Sequence, residues 1–352
     1  MGIWAHILAF WPKFISFELS LVKPDAKNRV DFPKWGSTQT KGLEMLKKYQ
    51  SSCSSNESGS GESEGISLDL WYQERHNDEI SCGLHVKKVL YSGQSAFQRV
   101  DVLDTSGFGR IMTLDGLMMV TERDEFVYHE MIAHVPLLAH PNPTRVLVIG
   151  GGDGGTLREV LRHDCVQEAV LCEIDGDVVE ASRKFIPVTA QGLNHPRAKI
   201  HIGDGVEFVH KSESASFDVV IVDSTDPIGP GVGLFSESFY KEVKRILKPG
   251  GIAIAQCESP WENGIDLAKV YNNLKVGIGN VYSMTGTIPT YPFGYWSWGF
   301  ASETVHPCAN IDLDRAKAIE KATKYYNTDV HRAAFAIPNF LRQRLKGVAA
   351  NA

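Results

Sequence analysis

Acidic side chains follow apolar runs of the sequence at five places. They are Asp153, Glu173, Asp204, the pair Asp223 and Asp226, and Glu258. Lys and Arg are absent from the short turns in which these residues stand. Carboxylates held close together repel one another unless a cation lies between them. If the fold brings these turns together, the sequence predicts an anionic site that binds a cation.

A divalent metal ion and an organic amine are both candidates for that cation. Hard metal ions prefer oxygen ligands, but the chain has no compact loop of alternating carboxylates. An amine fits better, because it is protonated at neutral pH and only its free base is a nucleophile. An Asp at the reacting end could remove the proton as a general base while other carboxylates hold the far ammonium group. Asp223 and Asp226, three residues apart after one run, are the pair hardest to explain structurally.

The glycine-rich turn from Gly150 to Gly155 leads into a predicted helix and lets the backbone approach a ligand closely. Its glycines also match the dinucleotide fingerprint, and a purely structural turn is an alternative. Asp153 favours another ligand, because its carboxylate would repel a pyrophosphate and attract a nucleoside with a cationic tail. Glu173 could hold ribose hydroxyls, and Asp204 could meet an exocyclic amine or be an ordinary turn residue. The residues alone predict an adenosine-like donor and a polyamine, and they leave the transferred group open.

Apolar runs alternate with amphipathic segments after residue 125. The runs are 146–149, 169–172, 199–202, 219–222 and 252–255, and the helical segments include 156–163, 177–185 and 236–247. This alternation predicts a doubly wound α/β sheet, in which helices cover both faces of parallel strands. Ligands bind outside the carboxyl ends of such strands. Since the acidic turns all follow the runs, we expect them at one edge of the sheet.

The chain before this sheet divides into two parts. Short alternating runs closed by Gly, Asp or Ser begin at Leu68 and predict an antiparallel β-meander. Residues 51–65 contain only Ser, Gly, Glu, Asn and Cys, which is typical of a flexible linker. We therefore expect an N-terminal extension at 1–66, a β-meander domain at 67–124, a catalytic domain at 125–305 and a C-terminal helical tail at 306–352. The extension receives no functional assignment.

Composition argues against several classes of protein. The formal charge is -6, from 36 Lys and Arg against 42 Asp and Glu, and nucleic-acid-binding proteins usually show the opposite balance. Six cysteines are too few for a disulfide scaffold and form no CxxC pair, which favours a cytoplasmic setting. The apolar stretch 2–22 is broken by proline and charged residues, so we expect no membrane-spanning helix there.

Several motifs after the linker are long and specific. They are LDG at 114–116, TERDEFVYHEM at 121–131, VIGGGDGG at 148–155, DSTDPIGP at 223–230, IPTYP at 288–292, YYN at 325–327 and HRAAFAIP at 331–338. In this order they resemble the spermidine synthases, of the polyamine aminopropyltransferase family. The resemblance implies a Rossmann-like, class I methyltransferase-like sheet preceded by a small antiparallel β domain. It also implies transfer of an aminopropyl group from decarboxylated S-adenosylmethionine to putrescine, giving spermidine and methylthioadenosine.

The resemblance further implies a catalytic base, Asp223, and two groups of binding residues. The group that would position the amine contains Tyr128, His129, Asp153, Asp226, Glu258 and Tyr291. The group that would bind the donor contains Gln98, Asp153, Glu173, Asp204, Gly205 and Pro230. Asp153 and His129 would flank the aminopropyl end of the donor. The decarboxylated donor has no carboxylate on this tail, so Asp153 could pair with its ammonium and would repel the parent donor.

The same resemblance implies a homodimer, and neither a cofactor nor a metal ion, because the donor is a co-substrate. Two other functions stay open, namely an amine N-methyltransferase that uses intact S-adenosylmethionine and a catalytically silent polyamine-binding relative. From the residues alone, a packing role for His129 is also an alternative. Met119 and the stretch 294–296 depart from the family pattern near the expected substrate walls. These departures leave the choice of acceptor amine open.

Overall fold

The N-terminal part of the described structure is a five-stranded antiparallel sheet. The computed structural model describes residues 69–75, 80–226, 229–262 and 266–352, and the expected extension and linker lie outside them. The strands are β1 Leu70–Arg75, β2 Ser81–Gln94, β3 Arg99–Thr105, β4 Gly109–Leu114 and β5 Leu117–Thr121, in this spatial order. Asp115 and Gly116 connect β4 to β5 with positive φ at both positions, as a tight hairpin turn requires. The predicted small antiparallel β domain is confirmed.

The second sheet has seven strands. They are β6 Arg145–Gly150, β7 Glu168–Glu173, β8 Ala198–Ile202, β9 Phe217–Asp223, β10 Leu247–Gln256, β11 Asn280–Gly286 and β12 Trp296–Ser302. The spatial order is β11-β12-β10-β9-β6-β7-β8, with parallel pairing from β10 to β8 and antiparallel pairing of β12 with both neighbours. Every predicted apolar run lies in a parallel strand, which confirms the doubly wound α/β fold. β11 and β12 form an edge that those runs do not predict.

Helices cover both faces of this sheet. They are α1 Glu125–Ala139, α2 Gly155–Val160, α3 Gly176–Phe185, α4 Pro187–Ala190, α5 Gly205–Lys211, α6 Glu237–Ile246, α7 Leu267–Gly277, α8 Leu313–Glu320, α9 Thr328–Ala333 and α10 Asn339–Arg344. Successive side chains of a strand point to opposite faces. In β6, Val146 and Val148 pack in the core cluster that contains α1, whereas Leu147 and Ile149 pack in the cluster that contains α6. The strands are therefore buried on both faces, as parallel strands require.

α1 is buried on nearly all sides, with Phe126 its one residue that is not fully buried. A polar residue in such a helix needs a partner, since burying an unpaired carboxylate is costly. Glu130 finds one in the C-terminal segment, where it accepts backbone N–H groups of Lys324, Tyr325 and Tyr326 at 2.8 Å each. The YYN motif is thereby anchored on the same helix that carries Tyr128.

The two sheets belong to one compact unit, Asp69–Ala352. Val102 and Met112 of the first sheet pack against Val178 of α3. Arg110, on β4, donates from Nη1 to the carbonyl oxygen of Phe185 at 2.7 Å. These contacts hold the first sheet against α3, so residues of both sheets can line one pocket.

Candidate active site

A pocket lies between the first sheet and the carboxyl ends of the parallel strands. The predicted residues that line it are Gln98, Tyr128, His129, Asp153, Glu173, Asp204, Gly205, Asp223, Asp226 and Tyr291. Glu258 is not among the lining residues, and the predicted role of Pro230 concerns a side chain outside the described ones. The acidic strand ends are thus brought together as expected, and Glu258, which does not line the pocket, interacts with Asp226, which does.

Asp223 ends β9 beside the glycine-rich turn after β6. It pairs with Gly150 where the strand order reverses, which is the usual ligand position in open α/β sheets. Gly151 has a φ of +66°, and a Cβ atom there would lie 2.6 Å from Oδ2 of Asp223. A residue with a side chain would therefore be strained and would displace the carboxylate. The glycine-rich turn, which also matches a dinucleotide fingerprint, therefore leaves space for the carboxylate of Asp223.

Both carboxylate oxygens of Asp223 accept a hydrogen bond from a hydroxyl group. Tyr128 donates to Oδ1 at 2.8 Å, and Thr156 donates to Oδ2 at 2.7 Å. Burial raises the pKa of Asp223, and Asp153 raises it further, whereas His129 and the two hydroxyls lower it. A carboxylate with a raised pKa is a better proton acceptor than an Asp in water, as a general base requires.

His129 projects from α1 into the pocket wall. Its Nδ1 lies 2.6 Å from Oε2 of Glu125, and its Nε2 lies 3.5 Å from Oδ1 of Asp153. Burial alone would lower the pKa of His129, but Asp153 and Glu125 raise it to about 10. The imidazole is therefore a cation at neutral pH and faces the carboxylates of the site.

Arg158, on α2, fixes the carboxylate that faces His129. Its Nη1 and Nη2 donate to Oε1 and Oε2 of Glu125 at 3.0 and 2.8 Å. Paired guanidinium–carboxylate bonds of this kind are strong and orient both groups. Although burial opposes ionisation, His129 and Arg158 lower the pKa of Glu125 to about 2. His129 therefore has a permanent anionic partner.

Glu173, at the end of β7, is held by backbone groups on both oxygens. Oε2 accepts from the N–H of Gly152 at 3.1 Å, and Oε1 accepts from the N–H of Asp175 at 2.9 Å. Burial raises the pKa of Glu173 to about 7, and the charge of Asp175 adds to this effect. Asp175 also accepts from Nε2 of Gln98 at 3.0 Å. Asp175, which the strand-end pattern did not single out, thus connects Gln98 of the first sheet to Glu173.

Asp204 begins α5 as its N-cap. Its Oδ1 accepts from the N–H groups of Val206 at 2.7 Å and Glu207 at 3.4 Å, which satisfies donors that the first helical turn leaves free. Asp204 and Gly205 also line the pocket. The ordinary turn role and the site position, which the sequence left as alternatives, therefore coexist in one residue.

Glu74, on β1, lines the same pocket as Asp226 and was missed by the sequence analysis. Its Oε2 accepts from the N–H of Met118 on β5 at 2.8 Å. Burial raises the pKa of Glu74 to about 7, and Asp226 adds to this effect, so the two carboxyls interact. No local signal predicts this, because Glu74 reaches the site only through the register of the first sheet.

Tyr291 lies in a turn that Asp124 holds in place. Oδ2 of Asp124 accepts from the N–H and the hydroxyl of Thr290 at 3.0 and 2.7 Å. The hydroxyl of Tyr291 donates to the carbonyl oxygen of Met119 at 2.6 Å, and its ring centre is 5.8 Å from that of Tyr128. Tyr291 therefore contributes an aromatic wall to the pocket, with its hydroxyl bonded to the first sheet.

Glu258, after β10, is 3% exposed and has a φ of +70°. Its Oε1 has no hydrogen-bond partner among the described residues, and burial together with Asp226 raises the pKa of Glu258. Gln256, two residues earlier, lines the pocket and donates from Nε2 to the carbonyl oxygen of Ser224 at 3.2 Å. At the end of β10 the wall of the pocket is therefore formed by Gln256. A direct contact of Glu258 with an amine stays a prediction.

Two family models match the chain and together span both sheets. The spermine/spermidine synthase domain matches residues 125–315, and the spermidine synthase tetramerisation domain matches residues 70–122. The chain belongs to the spermidine synthase family. This membership confirms the resemblance on which the sequence interpretation rests, and the class of enzyme is polyamine aminopropyltransferase.

Relatives of the spermidine synthase family are similar to this chain over nearly their whole length. The polyamine aminopropyltransferase of Thermoanaerobacter sp. (strain X514) is 47% identical over 281 residues, 78% of this chain and 98% of the relative. That of Clostridium perfringens (strain 13 / Type A) is 44% identical over 283 residues, 80% and 99% of the two chains. A solved spermidine synthase in complex with the transition state analogue AdoDATO has a TM-score of 0.76 and 45% identity, covering 78% of this chain and 94% of its own. Spermidine synthase from Thermotoga maritima has a TM-score of 0.75 and 44% identity over the same shares.

Residues from both places where the sequence was expected to depart from the spermidine synthase motifs line the pocket. Met119, on β5, and Trp296, on β12, line it. Trp296 is 5% exposed, and its Nε1 has no hydrogen-bond partner in the described part of the chain. Their place in the pocket wall agrees with the expectation from the sequence, and contact of either residue with an acceptor amine stays a prediction.

Among the described residues, one group of side chains has the spacing of a metal site. His129, Asp153 and Asp223 present ligand atoms within 4.8 Å of one another. A histidine ligand must be neutral, whereas Glu125 and Asp153 keep His129 protonated. A protonated His129 leaves only the two carboxylates as ligands, and the prediction that no metal is used stays a prediction. Within the described ranges, none of the helices is both long and apolar enough to cross a membrane.

Proposed function

We propose that the protein is a spermidine synthase, which transfers the aminopropyl group of decarboxylated S-adenosylmethionine to putrescine and releases methylthioadenosine. The observation that carries the proposal is Asp223, a half-buried carboxylate held by two hydroxyls in a pocket lined by other carboxyls. A cationic donor and a dicationic acceptor are attracted to such a pocket. Family membership supports the same reaction.

The donor side of this proposal uses groups at the ends of β6, β7 and β8. Each oxygen of Glu173 accepts one backbone N–H and keeps capacity for a ribose hydroxyl. Asp204 and Gly205 would meet the adenine. Asp153 would pair with the ammonium of the donor's tail, close to His129. The carboxylate on the tail of intact S-adenosylmethionine would be repelled there, which gives a physical reason for using the decarboxylated donor.

The acceptor side uses the carboxyls that do not bind the donor. Asp226 and Glu74 would hold the far ammonium of putrescine, while Tyr128 and Tyr291 enclose its apolar chain. The near amine would then reach Asp223. Since the lining of the pocket combines carboxyls with aromatic and apolar side chains, it matches a diamine in charge and in hydrophobicity.

The reaction needs a proton acceptor and alignment. Asp223 takes one proton from the near ammonium of putrescine. The freed lone pair attacks the carbon of the aminopropyl group that is bonded to the sulfonium sulfur. The new C–N bond forms as the C–S bond breaks. The electron pair of the C–S bond stays on sulfur, and methylthioadenosine leaves as a neutral thioether. The product nitrogen is a secondary ammonium, and the proton on Asp223 is released to solvent. The scheme requires no cofactor and no metal, so we expect EDTA to leave the activity unchanged.

A product assay with both donors tests the proposal against its alternatives. With putrescine and decarboxylated donor, we expect spermidine and methylthioadenosine in equal amounts. N-methylputrescine made from intact S-adenosylmethionine would instead establish the methyltransferase alternative, and amine binding without either product would establish the silent relative. Cadaverine, agmatine and spermidine as further acceptors would show what Met119 and Trp296 select.

We also propose a multimer for this enzyme, because residues 70–122 match a model described as a tetramerisation domain. The family resemblance implies a homodimer, and light scattering on the full chain would separate dimer from tetramer. The cytoplasmic setting favoured by the cysteine pattern stays a prediction, which localisation of the tagged full chain would test.

Nucleoside binding should weaken as the pH falls below about 7, because an ionised Glu173 accepts ribose hydroxyls more strongly than a protonated one. Its pKa in the folded protein is raised to about 7, so Glu173 is protonated below this pH and ionised above it. We expect the Kd of methylthioadenosine to rise about tenfold between pH 8 and pH 6, as one proton must be lost on binding. Isothermal titration calorimetry measures this directly, since the nucleoside does not itself titrate in this range.

The Glu173→Gln variant is the matched control for this pH effect. Gln has the same size and cannot titrate, so its Kd should be higher and nearly constant from pH 6 to pH 8. Equal affinities of the unmodified protein at the two pH values would show that Glu173 does not control nucleoside binding.

A further inference from the structure

Thr156 is a buried hydroxyl that the proposed reaction scheme does not use. It is the second residue of α2, has a relative exposure of 0%, and donates from Oγ1 to Oδ2 of Asp223 at 2.7 Å. A buried hydroxyl needs a hydrogen-bond partner, and a Thr at the start of a helix has no preceding helical turn whose carbonyl could accept from it. Here the hydroxyl points instead at the general base.

Thr156 and Tyr128 hold Asp223 from two helices. Tyr128, on α1, donates to Oδ1 at 2.8 Å, so each carboxylate oxygen carries one hydroxyl bond. Rotation of the carboxylate would break both bonds. Thr is β-branched and therefore stiff at χ1, so its hydroxyl is directed without a large loss of side-chain entropy. Each oxygen keeps a second lone pair, which is available to the proton of an incoming amine.

Charged and titratable groups around Asp223 act on it in opposite directions. Tyr128 and His129 face it from α1, Asp153 from the glycine-rich turn, Glu173 from the end of β7, and Tyr291 from the turn before β12. Burial and Asp153 favour the protonated acid, whereas His129 favours the ionised form. Hydroxyl donors also favour the ionised form, because they bond more strongly to a carboxylate than to a neutral acid.

We propose that Thr156 is a positioning residue, which together with Tyr128 keeps the carboxylate of Asp223 ionised and oriented toward the attacking amine. The inference rests on the proposed function, in which Asp223 is the base. Thr156 touches neither substrate in the scheme and acts through Asp223 alone. A residue that only fills the core would not need a hydroxyl at this place.

The pH profile of Thr156→Val tests the proposal. Val has nearly the same shape but leaves Oδ2 without its donor. We expect the acid limb of kcat/KM for putrescine to move to higher pH by about one unit, because a hydrogen bond to a charged group is worth about that much in pKa. On the acid limb, kcat/KM at any one pH should therefore be about tenfold lower in the variant, with the Kd of methylthioadenosine unchanged. Thr156→Ser restores the hydroxyl and should return the limb close to its original position.

Thr285→Val is a matched control, because the hydroxyl of Thr285 is buried and bonds to the carbonyl oxygen of Ala334 at 3.4 Å, away from Asp223. This variant should keep the original acid limb. Titration of Asp223 can also be followed without turnover, as the infrared carboxylate band that disappears in Asp223→Asn. An acid limb and a band titration that are the same in Thr156→Val as in the unmodified protein would overturn the proposal. Absence of spermidine formation by the unmodified protein would contradict the proposed function, and the infrared titration would still decide the role of Thr156.

Discussion

Replacement of Asp223 by Asn should lower kcat for spermidine formation by about 10³-fold, because a positioned general base contributes on this order. Asn is nearly the same size and keeps an acceptor oxygen, so the hydroxyls of Tyr128 and Thr156 retain one partner. It cannot take the proton that must leave the amine before attack. Donor binding should change little, since Glu173 and Asp153 are untouched.

The pH dependence of the residual rate of the Asn variant should show that a proton acceptor was lost. Without a base, the enzyme can use only putrescine that is already neutral, and alkylamines have pKa values of about 10. The variant's rate should therefore rise about tenfold per pH unit between pH 7 and pH 9, whereas the unmodified enzyme should level off once Asp223 is ionised. Single-turnover measurement of methylthioadenosine release gives the rates of the variant and of the unmodified enzyme.

Asp164→Asn removes the same charge at an exposed position and serves as the control, with activity expected to be unchanged. A rate for Asp223→Asn within tenfold of the original, or a rate with the same pH dependence, would remove Asp223 from its assigned role.

Site residues that stand just after a strand could be located from the sequence. Asp153, Glu173 and Asp223 follow apolar runs directly, and parallel strands place their carboxyl ends at one edge. Periodicity alone therefore brought them together. At the end of β10 the backbone turns with positive φ at Glu258 and Gln256 lines the pocket, so the contact of Glu258 with an amine stays a prediction.

Residues that depend on register were not predictable in this way. Glu74 reaches the pocket by bonding to the N–H of Met118, 44 residues away, and Asp175 receives Gln98 from the other sheet. Glu74 stands after no such run, and Asp175, three residues after the run 169–172, belongs to no motif with a mechanism of its own. Pairing of particular strands is decided by tertiary packing, so only the folded structure shows such contacts.

The edge strands β11 and β12 were missed for a related reason. Their sequences, NVYSMTG and WSWGFAS, follow one another along the chain and pair as antiparallel neighbours. A regular alternation of one run and one helix describes parallel strands and contains no place for such a pair. The loop between them carries Tyr291, and their strand β12 carries Trp296, so the unpredicted edge supplies walls of the pocket.

Replacement of Gly155 by Ala should damage both stability and catalysis. Gly155 is the first residue of α2, and a Cβ atom there would lie 2.2 Å from the imidazole of His129. That ring cannot move freely, because Nδ1 is bound to Glu125 at 2.6 Å and Arg158 fixes Glu125 in turn. Overpacking of this kind costs about 1–3 kcal/mol of unfolding free energy. A shift of about 1 Å in the groups around the base should lower kcat/KM about 100-fold.

Gly176→Ala provides the matched control for this effect. Gly176 is likewise the first residue of a helix, α3, but a Cβ atom there would meet nothing closer than Ile202, at 3.5 Å. Ala also has the better helix propensity, so this variant should be as stable as the original protein or slightly more stable. Thermal unfolding and kcat/KM of the two variants, measured side by side, separate a clash at His129 from a general effect of Ala at a helix start. If Gly155→Ala retained full activity and stability, the imidazole would have to be mobile, and its bond to Glu125 could not hold it against Asp153.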